Sequence, residues 1–572
     1  MHAIRSRRSV FILATFALLV GCPPDHDDVG LPFDAAASAP KWSGPPLLKE
    51  CTSAAGLDFR HDVVISGNYA LPEIMGSGCA VFDADKDGDL DLFFVNAGRT
   101  RGDGAPDRLF LRGDAGGYVE APARDALPRR DDYGMGVAVG DVDNDGDLDL
   151  YVANWGGDAL LLNRGNGTFE DGTTKASLTR DEWSTCAAFV DYDLDGLLDI
   201  YVAHYVKFDP LKLCARRDGH REYCEPRSYK GRSDALYHNR GDGLLEDVSE
   251  RMGLNVVASN GLGLVVEDFD GDGWLDVYVA NDGDPNQLWM NREGKRFVDD
   301  ALILGVAVND QGVAEASMGV AIGDVDGNAY TDIFLTHFAG ESNTLYLREG
   351  PNSFIDGTNS SGLYTPSLPY TGFGTVFFDI DNDGDEDIAV VNGRVKASMK
   401  PTGAAPDALF PEFVEPNQLF LNDGKGTFSD ASLGGGAYHE AREMSRALAA
   451  CDLDRDGDLD LVVTNCGGDA RLYENVVGQN NNWIAVEPVD KKLKRQVFGA
   501  RVVVHVGGRV RRRTCGSTAS YISSWVDAVH FGLGEAQKVD RIDVVWPGGQ
   551  RETFAGGAVN RRVTLVRGHG IQ

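Results

Sequence analysis

Aspartates recur in this chain at a fixed spacing that suits a hard cation. The first copy runs from Asp83 to Asp91, with aspartate at loop positions 1, 3, 5 and 9 and glycine at position 6. Ca²⁺ takes six to eight oxygen ligands, which alternate positions of a tight turn can supply. The pattern predicts a calcium loop in which positions 1, 3 and 5 give side-chain oxygens, position 7 its backbone carbonyl and position 9 a carboxylate.

Seven such loops occur along the chain, so we predict up to seven bound calcium ions. The candidate side-chain ligands are Asp83, Asp85, Asp87 and Asp91; Asp141, Asp143, Asp145 and Asp149; Asp191, Asp193, Asp195 and Asp199; Asp268, Asp270, Asp272 and Asp276; Asp324, Asp326, Asn328 and Asp332; Asp379, Asp381, Asp383 and Asp387; and Asp452, Asp454, Asp456 and Asp460. Position 7 carries Asp89, Asp147, Leu197, Trp274, Tyr330, Asp385 and Asp458. This variation suits a ligand that contributes only its carbonyl.

Solvated turns and EF-hands also place aspartates close together in sequence. Aspartate and glycine cluster in turns that bind nothing, but seven copies in register argue against chance. An EF-hand needs a glutamate at position 12 and flanking helices, whereas position 12 of the first copy is Phe94 and its flanks resemble strands. The fifth loop has Asn328 at position 5 and Ala329 at position 6, where the turn favours the positive φ of glycine. We predict that the fifth loop is the weakest site.

Each loop lies inside a repeat of four short apolar segments typical of β-strands. In the second repeat, one such segment, residues 134–139, precedes the loop. The next, residues 148–154, contains the last ligand of the loop, Asp149, and continues beyond it. Four short strands per repeat indicate propeller blades. The last repeat lacks a fourth strand, and residues 48–60 resemble one, so we predict that they complete the seventh blade. The expected fold is all-β, with a seven-bladed β-propeller over residues 47–482 and a small β domain over 483–572.

The net charge of −34 is carried by the part of the chain before residue 483, and the remainder is basic. The predicted ligands account for much of this acidity, which argues against nucleic acid as a partner. Arg509, Arg511, Arg512 and Arg513 form a basic cluster that could dock on the acidic propeller, an anionic polysaccharide or lipid headgroups. Such runs are most often solvated strand faces, and that is our expectation.

The N-terminal residues have the pattern of an export signal. Arg5, Arg7 and Arg8 precede an apolar run over residues 10–20 that is too short to span a bilayer. The following Gly21-Cys22 resembles a bacterial lipobox, in which the cysteine is lipidated. We predict a lipoprotein signal peptide over 1–22, a tether over 23–46 and an exported, membrane-anchored envelope protein, periplasmic or at the cell surface. An ordinary signal peptide with an incidental cysteine is the alternative.

Two repeats contain insertions between their second and third strands, at residues 205–233 and 394–415. Loops that interrupt a rigid scaffold commonly carry recognition, so these insertions are the predicted partner contacts, with surface decoration as the alternative. Cys214 and Cys224 lie in the first insertion and are the predicted disulfide, since disulfides persist in exported proteins. Cys451 and Cys466 flank the seventh loop and could meet across a hairpin.

The repeats resemble FG-GAP/VCBS repeats of calcium-bound β-propellers, the kind also found in integrin α heads. The C-terminal segment contains Phe498-Gly-Ala-Arg501 and the stretches 529–534 and 539–548, and it resembles the ASPIC/UnbV domain. Together, over residues 50–567, the chain is similar to the cartilage acidic protein family, as a bacterial lipoprotein member, and departs from the repeat pattern at Asn328-Ala329. The resemblance implies export and calcium binding but no particular reaction or ligand.

The search for catalytic motifs favours a protein that is not an enzyme. His439 begins a segment that ends in Glu443 where the zinc-protease motif has its second histidine. We therefore predict an extracytoplasmic calcium-binding module that binds a protein or carbohydrate. The alternatives are a calcium-dependent envelope or polysaccharide-active enzyme, with titratable groups converging in the central channel, and a structural surface-assembly protein.

Overall fold

The computed structural model describes residues 43–98, 102–122, 126–216, 218–351, 353–397, 409–516 and 518–571. The predicted signal peptide, Cys22 and most of the predicted tether lie outside these residues, as do residues 398–408 of the second insertion. The described residues all belong to one compact unit. Among them, no helix combines the length and the apolar character needed to cross a bilayer.

Strands build nearly all of the regular structure, and they fall into seven successive antiparallel units in the described chain. After β1 (Leu48–Glu50), the first three units contain β2 (Cys79–Phe82), β3 (Asp91–Phe94), β4 (Arg108–Arg112) and β5 (Tyr118–Glu120); β6 (Tyr133–Gly140), β7 (Asp149–Gly157), β8 (Ala159–Asn163) and β9 (Phe169–Asp171); and β10 (Asp181–Val190), β11 (Asp199–His204), the insertion strands β12 (Val206–Lys207), β13 (Cys214–Ala215), β14 (Arg221–Glu222) and β15 (Lys230–Gly231), then β16 (Ala235–Asn239) and β17 (Leu245–Asp247).

The remaining units follow the same plan. They contain β18 (Gly261–Glu267), β19 (Asp276–Asn281), β20 (Gln287–Asn291) and β21 (Phe297–Asp299); β22 (Val320–Gly323), β23 (Asp332–Leu335), β24 (Thr344–Gly350) and β25 (Ser353–Asp356); β26 (Gly372–Phe378), β27 (Asp387–Asn392), β28 (Gln418–Asn422) and β29 (Phe428–Asp430); and β30 (Ser445–Cys451), β31 (Asp460–Asn465) and β32 (Arg471–Asn475). Helices of one turn lie at Thr173–Ala176, Ser249–Met252, Ala301–Leu304, Tyr364–Ser367 and Ala437–Glu440, and 3₁₀ turns at Leu71–Ile74, Pro226–Ser228, Leu254–Val256 and Gly478–Asn480.

The seventh unit is completed by the N-terminal strand. β1 pairs antiparallel with β32, and Leu48 lies opposite Asn475. The first strand of each unit contacts the first strand of the next, and β30 of the last unit contacts β2 of the first. The predicted all-β propeller fold is confirmed, as is the prediction that the N-terminal segment supplies the missing strand. Closing the ring this way pairs a strand edge that would otherwise be exposed.

The C-terminal part forms two further sheets and adds two short strands to the sheet of the first unit. Its strands are β33 (Asn482–Asp490), β34 (Arg495–Gln496), β35 (Arg501–Val506), β36 (Arg509–Thr514), β37 (Thr518–Ala519), β38 (Ser524–Trp525), β39 (Val529–Gly534), β40 (Lys538–Val545), β41 (Arg551–Ala558) and β42 (Arg561–Val566). One sheet has the order β34-β33-β39, with β42 parallel to β33, and the other has the order β36-β35-β40-β41. The two short strands are β37 and β38, and β38 runs parallel to β2. Buried Val502, Val504, Ile542, Val544 and Trp546 belong to a hydrophobic core that continues into the first three units of the ring.

A short segment of the C-terminal part, residues 520–524, fills the centre of the ring; we call it the plug. The N–H of Val137 in the second unit donates to the Ile522 carbonyl, and that of Leu264 in the fourth unit donates to the Ser520 carbonyl. Tyr521 Oη donates to the Met75 carbonyl at 2.9 Å, and Tyr521 and Ile522 are fully buried. The ring approaches so closely that a Cβ at Gly78 would lie 1.8 Å from the Ile522 oxygen.

Candidate functional site

The seven aspartate loops all connect the first strand of a unit to its second strand, as between β2 and β3. Strands therefore flank every loop, which removes the EF-hand alternative, since that motif needs helices on both sides. Residues at the same loop position make the same contacts in most units.

The position-9 carboxylates each hold two backbone amides. In the first loop, Asp91 Oδ2 accepts the N–H of Ala84 and Oδ1 accepts the N–H of Arg112, both at 2.8 Å. The equivalent pair of bonds occurs at Asp149, Asp199, Asp276, Asp332, Asp387 and Asp460. Each carboxylate thus fixes its loop to the third strand, and each oxygen keeps a lone pair for a cation.

The position-1 carboxylates present a second oxygen that no protein group satisfies in most loops. Asp83 Oδ2 accepts the N–H of Gly88 at 3.1 Å, which closes the turn. Oδ1 is buried and lacks a hydrogen-bond partner within the described residues at Asp83, Asp191, Asp324, Asp379 and Asp452. Buried polar atoms normally have partners, so these oxygens have the environment of cation ligands.

The carboxylates of positions 1, 3 and 9 converge. One oxygen each from Asp83, Asp85 and Asp91 lies within 4.8 Å of the other two. The same spacing holds for Asp141, Asp143 and Asp149 and for Asp268, Asp270 and Asp276, while Asp191 converges with Asp193 and Asp195. Three converging carboxylate oxygens in each of these loops fit part of the oxygen shell of a hard divalent cation.

Burial and mutual repulsion make these carboxylates hard to ionise without a cation. Burial raises the pKa of Asp91 to about 7 and that of Asp332 to about 8. Burial raises the pKa of Asp379 to about 8, and the nearby carboxylates of Asp383 and Asp381 raise it further, although Arg513 opposes them. A bound cation would reverse this balance by favouring the charged forms.

The turns have a left-handed backbone at two positions, of which the sequence predicted only the first, position 6. Ala329 has φ of 74°, in the left-handed region that glycine occupies at this position in the other loops, for example Gly88 at 97°. The expected positive φ at Ala329 is therefore confirmed, and the weakness of the fifth loop as a metal site stays a prediction. Position 4 is also left-handed, with φ of 63° at Lys86 and 57° at Asn144. Sequence reasoning missed position 4, although asparagine, which tolerates this conformation, occurs there in two loops.

Hydrogen bonds connect successive loops around the ring, which sequence reasoning also missed. Asn163, at the end of the third strand of unit 2, donates through Nδ2 to the carbonyls of Ala84 in the first loop and Leu148 in its own. Equivalent bonds from Asn239, Asn291, Asn422 and Asn475 reach the preceding loop. Arg348 takes this role in unit 5 and donates to the Phe269 carbonyl. The order of one loop is thereby linked to its neighbour.

The basic cluster of the C-terminal part contacts the loops, so the expectation of a solvated face is wrong for three of its four arginines. Arg511 pairs with Asp385 at 2.8 Å, Arg513 pairs with Glu386 at 2.9 Å, and Arg512 donates to the Ala329 carbonyl. Only Arg509 is exposed. The physical reason is that β36 is the edge strand of its sheet, and this edge lies against acidic loops of units 5 and 6.

The cysteines follow one prediction and contradict another. Cys214 and Cys224 form the predicted disulfide, with an S–S distance of 2.01 Å. Cys451 and Cys466 are both free and buried, so their suggested pairing is wrong. In the antiparallel pair β30–β31, Cys451 lies opposite Asp460 beside the loop, whereas Cys466 follows the far end of β31. The length of the strands separates the two thiols.

The two insertions meet on the side of the ring away from the loops, because each begins at the far end of a second strand. Lys396 of the second insertion pairs with Glu225 of the first at 2.5 Å, and the rings of Tyr223 and Phe413 meet edge to face at 6.0 Å. Tyr223 also donates to Glu73 at 3.3 Å. We call this joint surface the cap: the described residues of 60–75, 205–233 and 394–415.

A cleft of about 580 Å³ lies beside the cap. Its walls include Arg60, Phe410, Glu443 and Arg471. Arg471 pairs with Glu443 at 2.6 Å, and Arg60 pairs with Asp469 at 3.0 Å. Charged side chains beside an aromatic ring can orient a polar ligand by hydrogen bonds and cover its apolar face.

The fold and the repeated aspartate loops define an acidic repeat protein of the propeller type. Family comparison agrees: the FG-GAP-like repeat matches residues 83–152, 141–202, 217–279, 268–335, 324–390 and 406–490, and the ASPIC and UnbV model matches residues 490–572. The chain belongs to the FG-GAP-like repeat family and carries a C-terminal ASPIC/UnbV domain. The resemblance to FG-GAP repeats followed by an ASPIC/UnbV domain is confirmed, and membership as a bacterial lipoprotein stays a prediction.

Curated relatives include cartilage acidic protein 1 of Homo sapiens, 24% identical over 503 residues, which cover 78% of this chain and 74% of that protein. The Mus musculus protein is 25% identical, with 76% and 73% covered. The Xenopus tropicalis protein is 26% identical over 344 residues, or 58% of this chain, and the match spans only 48% of that relative. These proteins are homologues of the chain described here.

The solved structures found by comparison are more distant in sequence. A lectin of Agrocybe aegerita that recognises non-reducing terminal N-acetylglucosamine has a TM-score of 0.39 and 14% identity, covering 70% of this chain and 94% of the lectin. BBS1N in complex with ARL6DN has a TM-score of 0.41 and 10% identity, covering 76% of this chain and 98% of that one.

Proposed function

We propose that this protein is a calcium-stabilised binding module of the cell envelope, and that it binds a protein or carbohydrate ligand on the cap side of the ring. The observation that carries the proposal is the plug. Residues 520–524 occupy the ring centre, and the C-terminal domain covers part of the loop side. The face that remains open is the cap side, which has both the two insertions and the cleft where a ligand could bind.

Calcium is the proposed occupant of the aspartate loops. The support is the set of buried, unpartnered position-1 oxygens and the convergence of neighbouring carboxylates. Calcium would supply the charge that the carboxylates need to remain ionised, and thereby stabilise the turn between the first two strands. The chain itself contributes the loop frame, because position 9 already anchors both the turn and the third strand.

A binding role is favoured over catalysis by what surrounds the ring centre. An enzyme with its site in the channel would need titratable groups facing an open cavity. The buried guanidinium near the plug, Arg446, instead donates to the carbonyls of Ile74, Gly393, Ser445 and Arg394. The guanidinium donates to backbone carbonyls of three separate segments and thereby holds them together, which is a structural role.

Export and lipid anchoring are the proposed cellular setting. The sequence of residues 1–22, ending in Cys22, is the main support. The Cys214–Cys224 disulfide in the first insertion agrees with it, because disulfides persist in oxidising compartments outside the cytosol. Anchoring through Cys22 would hold the protein at a membrane surface, either periplasmic or external.

The experiment is a glycan array with a parallel protein pull-down, each performed in calcium and in chelator. We expect calcium-dependent capture of a defined ligand by the wild-type protein and at least tenfold weaker capture by Arg471→Ala in the cleft. Arg164→Ala is the control for loss of an arginine ion pair away from the cleft, since Arg164 forms an exposed pair with Glu170 at 2.7 Å on the outer strands of unit 2. Equal loss in both variants, or capture that ignores calcium, would overturn the proposal.

A further inference from the structure

The third loop has a nitrogen donor beside its carboxylates. His238 directly precedes Asn239, whose N–H bonds to Asp199 Oδ1 at 2.8 Å. The residues at the equivalent third-strand position in the other units are Leu111, Leu162, Met290, Leu347, Leu421 and Glu474. The imidazole is thus specific to this unit and is not required by the fold, since leucine occupies the position in four others.

The imidazole is directed at the ligand oxygens. His238 Nδ1 lies 3.1 Å from Asp199 Oδ1 and 3.5 Å from Asp193 Oδ2, and the three donor atoms all lie within 4.8 Å of one another. In the same loop, Oδ1 of Asp191 and Oδ1 of Asp193 are buried without a hydrogen-bond partner in the described structure. Both unsatisfied oxygens belong to carboxylates of the loop beside the imidazole, and Asp193 is in contact with it.

This donor set differs in kind from that of a calcium loop. Ca²⁺ prefers oxygen ligands throughout, whereas imidazole combined with carboxylate suits divalent zinc, manganese and related metals. With metal–ligand bonds of about 2.1 Å, neighbouring donors around one ion lie about 3.0 Å apart in octahedral geometry and about 3.4 Å apart in tetrahedral geometry. His238 Nδ1 and Asp199 Oδ1 share a hydrogen bond at 3.1 Å, and this separation lets the two atoms ligate one ion when it replaces the shared proton.

We propose that the third loop binds a divalent transition metal, of the Zn²⁺ or Mn²⁺ class, through His238 and the carboxylates of Asp191, Asp193 and Asp199. This inference rests on the proposed function, because it uses the same loop frame as the calcium sites. The protein would then hold two chemically different kinds of metal, with calcium in the all-oxygen loops and the softer ion in the third loop.

The first test is the metal content of untagged protein after dialysis against excess calcium containing one equivalent of Zn²⁺ per chain. Wild-type protein should retain about one zinc, and His238→Leu should retain at least tenfold less while keeping its other calcium ions. Leucine is the matched replacement because Leu162 occupies the equivalent position in unit 2. A second variant, His238→Gln, controls for folding, and its melting temperature in chelator should equal that of the wild type. Equal zinc retention by wild type and His238→Leu would overturn the inference.

The second test detects the nitrogen ligand directly. Protein loaded with one equivalent of Mn²⁺ in excess calcium should show ¹⁴N modulation in pulsed electron paramagnetic resonance, and His238→Leu should not. Leu162→His should install a second such site in the second loop. Absence of nitrogen modulation in wild type would refute the role of His238. The calcium stoichiometry measured in the same samples separately tests the proposed calcium loops, so the two failures can be distinguished.

Discussion

Replacing Tyr521 with alanine should uncouple the C-terminal domain from the ring. The Tyr521 ring is fully buried and meets Phe373 edge to face at 4.9 Å, and its hydroxyl donates to the Met75 carbonyl at 2.9 Å. Removing a buried aromatic ring costs about 3–5 kcal/mol, and an unpaired buried carbonyl adds about 1 kcal/mol. We expect Tyr521→Ala to lose about 4–6 kcal/mol, and Tyr521→Phe about 1 kcal/mol.

Denaturant unfolding and native-state hydrogen exchange measure this loss. The amides of Val137 and Leu264 donate to the plug carbonyls of Ile522 and Ser520, so their protection should fall in Tyr521→Ala and persist in Tyr521→Phe. Wild type should unfold in one transition, and Tyr521→Ala in two. A wild-type midpoint with wild-type protection at both amides in Tyr521→Ala would refute the argument that the plug holds the two parts together.

Three further predictions concern the loops and the cap. In chelator, the free energy of unfolding should fall as pH rises from about 4 toward 9. Burial raises the pKa of Asp379 to about 8 and that of Asp458 to about 9, so the folded state holds protons that the unfolded state has released. Thermal melts across this pH range test the prediction: calcium should remove the fall, and a flat profile in chelator would contradict it. Ala329→Gly should stabilise the protein by about 1 kcal/mol and strengthen calcium binding at the fifth loop, because it relieves the left-handed backbone there; calorimetry that finds neither change would show that the turn is unstrained. Replacing Cys214 and Cys224 by serine should lower the stability of the first insertion alone by about 3 kcal/mol. Proteolysis within the insertion should become faster while the melting temperature of the ring stays unchanged, and equal proteolysis rates would count against the prediction.

The site could be predicted in large part from sequence because its ligands lie within nine residues. A loop such as Asp83–Asp91 contains its own acidic side chains and its own turn glycine, so the spacing alone indicated the convergence of Asp83, Asp85 and Asp91. The missing fourth strand of the last repeat likewise indicated that β1 pairs with β32. Short-range patterns of this kind need no knowledge of distant residues.

Contacts between distant segments were not predictable in the same way. The suggested Cys451–Cys466 pair was wrong because the register of two strands, and not the sequence distance, decided which residues met. The links from Asn163 to the preceding loop depend on how closely adjacent units pack. The residue before this asparagine is leucine in unit 2 and histidine in unit 3, and the sequence pattern predicts a strand residue in both cases. Only the folded loop places His238 beside Asp199.

The sequence by itself therefore determined the repeat, the position of the aspartate loops and the disulfide of the first insertion, because each is encoded by residue types at short spacing. The tertiary structure alone decided that Arg511–Arg513 face the loops and that residues 520–524 enter the ring. Those contacts join parts of the chain that are more than a hundred residues apart in sequence, as between Tyr521 and Met75. The plug, with three serines around Tyr521 and Ile522, carries no periodic signal, and its burial follows only from the shape of the closed ring.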